Sequence, residues 1–409
     1  MAANATIITN PTDVSQWVAA HNPIIVTASS TNTAEANFRY VVDVVFSYPS
    51  VFTKRLKMSA RPDGYLLFDA HRIVENYLSY DFGIGEATDA LACDNSYVIF
   101  EVQIGVEYGT TPTVYSNLAY TGDIYAMPAA LKHSVASYGS EPALIGLDWD
   151  NYLITNAITG TTAKFLTSSP RTITICSDAN YYLYTTFKNE PIKLKLQVYD
   201  DTGSLLSTNI KTLTTGIDVF TRIGVGTKNI NTWNAAYLVG ASSYKITLCN
   251  GSSVALGETF TFNIDCECSK WNESFRLHWL NPLGGFDAFT FKQRFDRNFQ
   301  IKKSNYTKIL GSMSAGAFSY TTAQAGKVNF DTRTTETIKI NSDWITEEEN
   351  EWLLTLAKSN QVFWEIDSST YAPVTITDSS YSQKTYAGQK LFNAHFTIEI
   401  SNEIPSQRQ

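Results

Sequence analysis

FRLHWLNPLGGFDAFTF, residues 275–291, is the stretch whose reading decides the fold. Two aromatic-rich segments flank the breaker Asn281-Pro282-Leu283-Gly284-Gly285. Proline presets φ at the start of a turn, and glycine permits a positive φ within it. The flanks read as strands, with Phe275, Leu277 and Trp279 on one face before the turn and Phe289 and Phe291 beyond it. The stretch predicts a β-hairpin built to pack. Its structural or interface candidates are Trp279, Asn281, Gly284, Gly285 and Phe286.

Composition extends that reading. The chain has 409 residues, enough for two to four domains. Charged residues make up only 17%, against a usual quarter, while Tyr and Phe together number 45. That mixture favours strands and turns over helices. A net charge of −8 argues against nucleic-acid binding, because phosphate contacts need clustered Lys and Arg. The longest basic run, Lys54-Arg55-Leu56-Lys57, reads as a solvated turn. The first residues lack a basic segment followed by an apolar core, so no secretory leader is expected. No apolar run approaches the ~20 residues of a membrane span. Synthesis in a cytosol, with all five cysteines reduced, is the expectation.

Period-2 alternation recurs along the chain. The first region, 1–143, has strands at residues 38–46 and 97–106, with Asp43, Glu101 and Gln103 expected outward. It opens with a helix-like piece at 14–20, and Asp69 can cap a helix carrying Ile73, Val74, Tyr77 and Leu78. The second region, 144–268, alternates at 192–199, turns at Asp200-Asp201-Thr202-Gly203, and turns again at Asn250-Gly251. Its short strands suggest an immunoglobulin- or fibronectin-like sandwich. The third region, 269–409, holds one convincing helix. Thr346 with Glu349 is a capping box, Trp352, Leu353, Leu356 and Ala357 form its apolar stripe, and Lys358 ends it. The fold class is therefore mainly β with a few short helices (β-rich α+β), as several sandwich-like domains in tandem.

No arrangement of chemical residues stands out. Asp201-Thr202-Gly203-Ser204 matches the string of aspartic proteases, but those need two carboxylates, and here it reads as a hairpin tip. Asp148 and Asp150 fail the calcium-loop pattern at its later positions. His21, His71, His133, His278 and His395 lie in no ligand spacing. Cys266 and Cys268 would need two more zinc ligands; Cys249 and His278 are conceivable, but buried thiols on adjacent strands are the ordinary explanation. No catalytic residue, metal or cofactor is expected.

The wording of three strings goes further. W-L-N-x-L-G-G-x-D-x-F-x-F at residues 279–291 resembles a segment of virion proteins from tailed bacteriophages that infect Bacteroidota. PDGYLLFDAHRIVENYL in the first region and SDWITEEENEWLLTL in the third, the latter adding Trp344 to Trp352 as candidates, are similar to the same family. The second region is similar only by position. The resemblance implies a non-enzymatic structural protein of the tail, baseplate or tail tip, built into a homo-oligomeric ring with copies of itself and other tail proteins, in the virion. It leaves open a receptor- or glycan-binding module at the tail tip, with a host surface receptor as partner.

Overall fold

The computed structural model describes residues 4–11, 17–82, 90–114, 118–131, 153–154, 163–187, 192–213, 219–265, 274–323, 326–367, 370–378 and 392–401. Strands hold 54% of the described residues and helices 8%, in several separate sheets, so the chain is mainly β as its alternation predicts. It divides into two compact units. The first comprises residues 1–266 and 280–287, the second residues 267–279 and 288–409.

In the first unit, Arg39–Tyr48 pairs antiparallel with Val98–Tyr108 inside a seven-stranded sheet. Tyr40, Val42, Val44 and Phe46 lie opposite Val106, Ile104, Val102 and Phe100. These side chains join Val26, Leu66 and Phe68 of a three-stranded sheet in one buried cluster, a sandwich core. The other face of the central strands is not simply solvated. Asp43 is 3% exposed and accepts from Arg55 Nε at 2.8 Å and Nη2 at 2.6 Å. Glu107 is equally buried and accepts from Lys57 Nζ at 2.5 Å. The expectation for residues 54–57 is thus corrected: Phe52–Met58 is a strand, and its register sets Arg55 across from Asp43. Burying a carboxylate without such a partner is costly.

Two local expectations also change. Trp17–Ala19 is a strand, parallel to Ile124–Met127, where a helical piece was expected; residues 14–16 lie outside the described residues. The helix after Asp69 is short, His71–Glu75, with Ala70 at its N-cap. Asp69 Oδ1 instead accepts the backbone N–H groups of Ile24 at 2.9 Å and His71 at 3.1 Å.

The second expected region contributes a five-stranded sheet. Its order is Thr172–Cys176, Ala255–Asp265, Ser243–Cys249, Ile192–Tyr199, Leu205–Leu213, and both predicted turns fall between the strands they were expected to join. A four-stranded sheet orders Leu153–Ile154, Tyr182–Phe187, Val219–Gly224 and Ala90–Ala92. That last strand comes from the first expected region and pairs with Val219–Gly224. A sheet shared this way joins regions 1–143 and 144–268 into one unit instead of two.

Cysteine chemistry differs from expectation too. Cys93 and Cys249 are free and buried, whereas Cys176 is disulfide-bonded to a partner outside the described residues. Parallel pairing sets Cys176 beside Asp265, one position before Cys266 in sequence. An odd cysteine count carries no information about such proximity. Burial pushes the Cys93 thiol up to about 12, which keeps it protonated and unreactive.

The second unit is a seven-stranded sheet carrying the helix Glu347–Lys358. Its order is Phe286–Phe291, Phe275–Leu280, Val362–Asp367, Thr370–Ile376, His395–Ile400, Lys327–Asn341, Asp296–Thr307. The capping box of Thr346 and Glu349 is present, and Trp352, Leu353 and Leu356 are buried. Trp279 is fully buried; its ring lies 5.1 Å from that of Trp352, and its Nε1 donates to Thr355 Oγ1 at 2.9 Å. Truncation there loses both burial and an indole hydrogen bond.

Trp279→Ala in the full chain should cost about 3–5 kcal/mol, read by denaturant unfolding. A variant with an unchanged midpoint would contradict this packing. Alkylation under denaturing, non-reducing conditions should label three of the five cysteines, Cys93 and Cys249 among them. Five labels would show that the Cys176 bond does not form.

Candidate functional site

The turn of the signature hairpin belongs to the first unit and is buried. Asn281 is its hub. Its Oδ1 accepts the N–H groups of Leu283 at 2.9 Å and Gly285 at 3.2 Å. Its Nδ2 donates to the Leu166 carbonyl at 2.9 Å and to Asp287 Oδ1 at 3.0 Å, where Thr167 Oγ1 also donates at 2.6 Å. Gly284 sits at φ +90°, the left-handed region that glycine tolerates. Gly285 is constrained differently: a Cβ there would stand 2.9 Å from the Tyr184 ring and 3.0 Å from the Leu166 carbonyl. Phe286 packs on Phe82 at 5.0 Å and Tyr80 at 5.7 Å. Every one of these contacts joins parts of the first unit, which gives the turn a structural role.

In the second unit, a buried charged group lies on Phe275–Leu280 and its neighbour Val362–Asp367. Glu365 Oε2 is 2.7 Å from His278 Nε2 and 3.1 Å from Arg276 Nε. Arg276 Nη1 donates to Thr290 Oγ1 at 2.9 Å, and Tyr371 lies edge-on to the imidazole at 5.4 Å. Burial holds the His278 ring below its ordinary value of 6.5, and Arg276 adds to that while Glu365 opposes it. A neutral ring with its proton on Nε2 donates to the carboxylate.

Of the seven sequence candidates, Trp279, Asn281, Phe286 and Trp352 are buried, Gly284 and Gly285 lie in the buried turn, and Trp344 alone is exposed, at 62%. Among the described residues no group of three or more His, Cys, Asp or Glu side chains could hold a metal. Asp148, Asp150, His133, Cys266 and Cys268 lie outside the described residues. Among the described residues, no helix is long and apolar enough to cross a membrane.

The surface most suited to an encounter was not distinguished in the sequence. Asp296–Thr307 and Lys327–Asn341 pair antiparallel along their length, but the second strand meets His395–Ile400 only at residues 337–341. Residues 299–307 and 327–336 therefore stand as a two-stranded arm, about 30 Å long at 3.3 Å per residue. A small hairpin, Ser312–Ser314 with Ala317–Ser319, lies beyond it, and its turn holds Ala315 and Gly316 at φ 51° and 84°. Of the 22 exposed large hydrophobic side chains among the described residues, nine lie within residues 299–330. Ile309 is 89% exposed, Met313 73%, Tyr320 62% and Phe318 58%. The arm escapes sequence reading because its apolar residues are spaced like those of any half-buried strand pair.

Asn281→Ala should strip partners from two N–H groups, a carbonyl and Asp287, and destabilise the chain by about 3 kcal/mol in denaturant unfolding. Full stability would show that water replaces the amide. For His278, the unfolded chain binds more protons than the folded one once pH falls to about 6.5 and below. Stability should therefore drop between pH 7 and pH 5, and drop less in His278→Gln. Parallel melting-temperature profiles for the two proteins would contradict the burial of a neutral ring.

No protein-family model matches the chain. No curated protein matches it in sequence either.

Proposed function

We propose that the chain is a structural subunit of a tailed-phage virion, without enzymatic activity, forming part of an oligomeric ring in the tail, baseplate or tail tip. The observation that carries this reading is the apolar arm. An isolated two-stranded ribbon is marginal in water, and exposed patches of this kind mark interaction surfaces. A chain that invests 38 residues in such a ribbon and its tip (about a tenth of its length) is made to meet another surface. The resemblance of three strings to phage virion proteins suggests the setting, and the β-rich sandwich-like architecture is compatible with it. Repeated head-to-tail contacts close into a ring when the rotation fits.

A second reading, a receptor- or glycan-binding module at the tail tip, draws on the exposed rings of Tyr306, Phe318 and Tyr320. Aromatic faces bind sugars through the same combination of apolar body and polar edge that makes them interface residues.

Particles of the phage that encodes this chain test both. Mass spectrometry of purified virions should find it, and a particle map should place several copies around the tail axis. Virions without the chain would remove the structural reading; copies at the distal tip that bind host glycan would favour the second.

A further inference from the structure

We infer that the arm docks on a second copy of this chain, at the acidic face around Trp344 and the start of the helix Glu347–Lys358. The inference rests on the proposed assembly role and names its contact. Three observations carry it.

Charge separates the two surfaces. The arm and its tip, residues 299–336, hold five Lys and Arg against two Asp and Glu, whereas the rest of the chain holds 26 against 37. The arm's carboxylates are spent locally: Glu336 pairs with Arg297 at 3.1 Å and Asp331 with Arg333 at 3.2 Å. Lys302, Lys303, Lys308 and Lys327 have no ion pair among the described residues, and all are exposed. A basic arm on an acidic chain finds its complement on another copy.

Area is the second observation. Nine exposed large side chains at about 100 Å² each give close to the ~800 Å² per partner of a stable interface. Apolar contact supplies the attraction, while the lysines discourage indiscriminate strand pairing along the ribbon's open edges. The arm is thereby selective for a surface that is both apolar and acidic.

Such a surface lies on the second unit. Trp344 is 62% exposed, and Glu347, Glu348 and Glu351 are exposed beside it in sequence. Of the acids in the first turn, Glu349 is engaged in the capping box, which leaves Glu347 and Glu348 facing solvent. An exposed indole accepts both an apolar tip and a lysine ammonium over its face. Arm and acceptor are different surfaces, so each copy carries one of each, and the contact propagates head to tail.

The test uses the purified full-length chain, with mass photometry and sedimentation at low and high salt. Wild type should self-associate, and at least tenfold more weakly in 1 M salt, where screening extends to only ~3 Å. The reversal Lys302→Glu/Lys303→Glu/Lys308→Glu should weaken association at least tenfold, and so should Glu347→Lys/Glu348→Lys/Glu351→Lys. An equimolar mixture of these two variants should form assemblies that neither forms alone, because the native arm of one meets the native face of the other and the reversed arm meets the reversed face. All six positions are exposed, so melting temperatures should stay close to wild type. A wild-type chain that remains monomeric at tens of micromolar, or arm variants that assemble like wild type, would overturn the inference. So would failure of the mixture to associate, or a photo-crosslink from position 318 in intact particles into a different polypeptide. Arm variants that still self-associate and still enter particles would overturn the docking while leaving the virion role standing. Absence from particles would remove that role and leave self-association measurable by itself.

Discussion

Burial of the polar turn at residues 281–287 is the constraint on which the first unit depends. The turn belongs to the first unit, yet Trp279, two residues earlier, lies in the core of the second. Neither unit is a single run of chain. The first takes Asn281, Phe286 and Asp287 from a hairpin whose strands are otherwise counted with the second. Sequence proximity forces the consequence: a substitution that unseats the Asn281 amide acts within two residues of the Trp279 indole. It also means that cutting the chain at 268/269 removes a buried turn from the first unit and leaves the Leu166 carbonyl and the Thr167 hydroxyl without their partners Asn281 and Asp287.

Much of this was legible in the sequence, for identifiable reasons. The hairpin at 275–291, the turns at Asp200–Gly203 and Asn250-Gly251, and the helix started by Thr346 are local devices: a turn, an alternation, a cap. What escaped is non-local. Asp43 read as solvent-facing because alternation marks the face opposite the core, and only the register with Phe52–Met58 delivers Arg55 to it, as it delivers Lys57 to Glu107. Ala90–Ala92 looked like part of its own region until pairing with Val219–Gly224 carried it into another sheet. Cys176 looked like one of five thiols, and a parallel pairing 80-odd residues away gave it a neighbour.

The candidate site divides the same way. Six of the seven named residues are hidden in cores or in the turn, because aromatic content is first of all a resource for packing between sheets. Gly285 was marked for its backbone freedom, but the close approach of Tyr184 is what excludes a side chain there. The arm is the reverse case. Its strands have ordinary alternation and ordinary length for a sheet, and nothing in their wording says that the rest of the sheet stops short of them.

Lys327–Asn341 runs without a break from the arm into the sheet, and this gives the arm a mechanical character. Its last five residues are laddered to His395–Ile400, with hydrogen bonds perpendicular to the strand axis. A pull transmitted along the strand from the arm's far end acts on those rungs side by side, in shear. A pull across the strand would open them one after another, as a zipper does. The arm is thus anchored most firmly along its own length, the direction in which a neighbour sliding past would drag it.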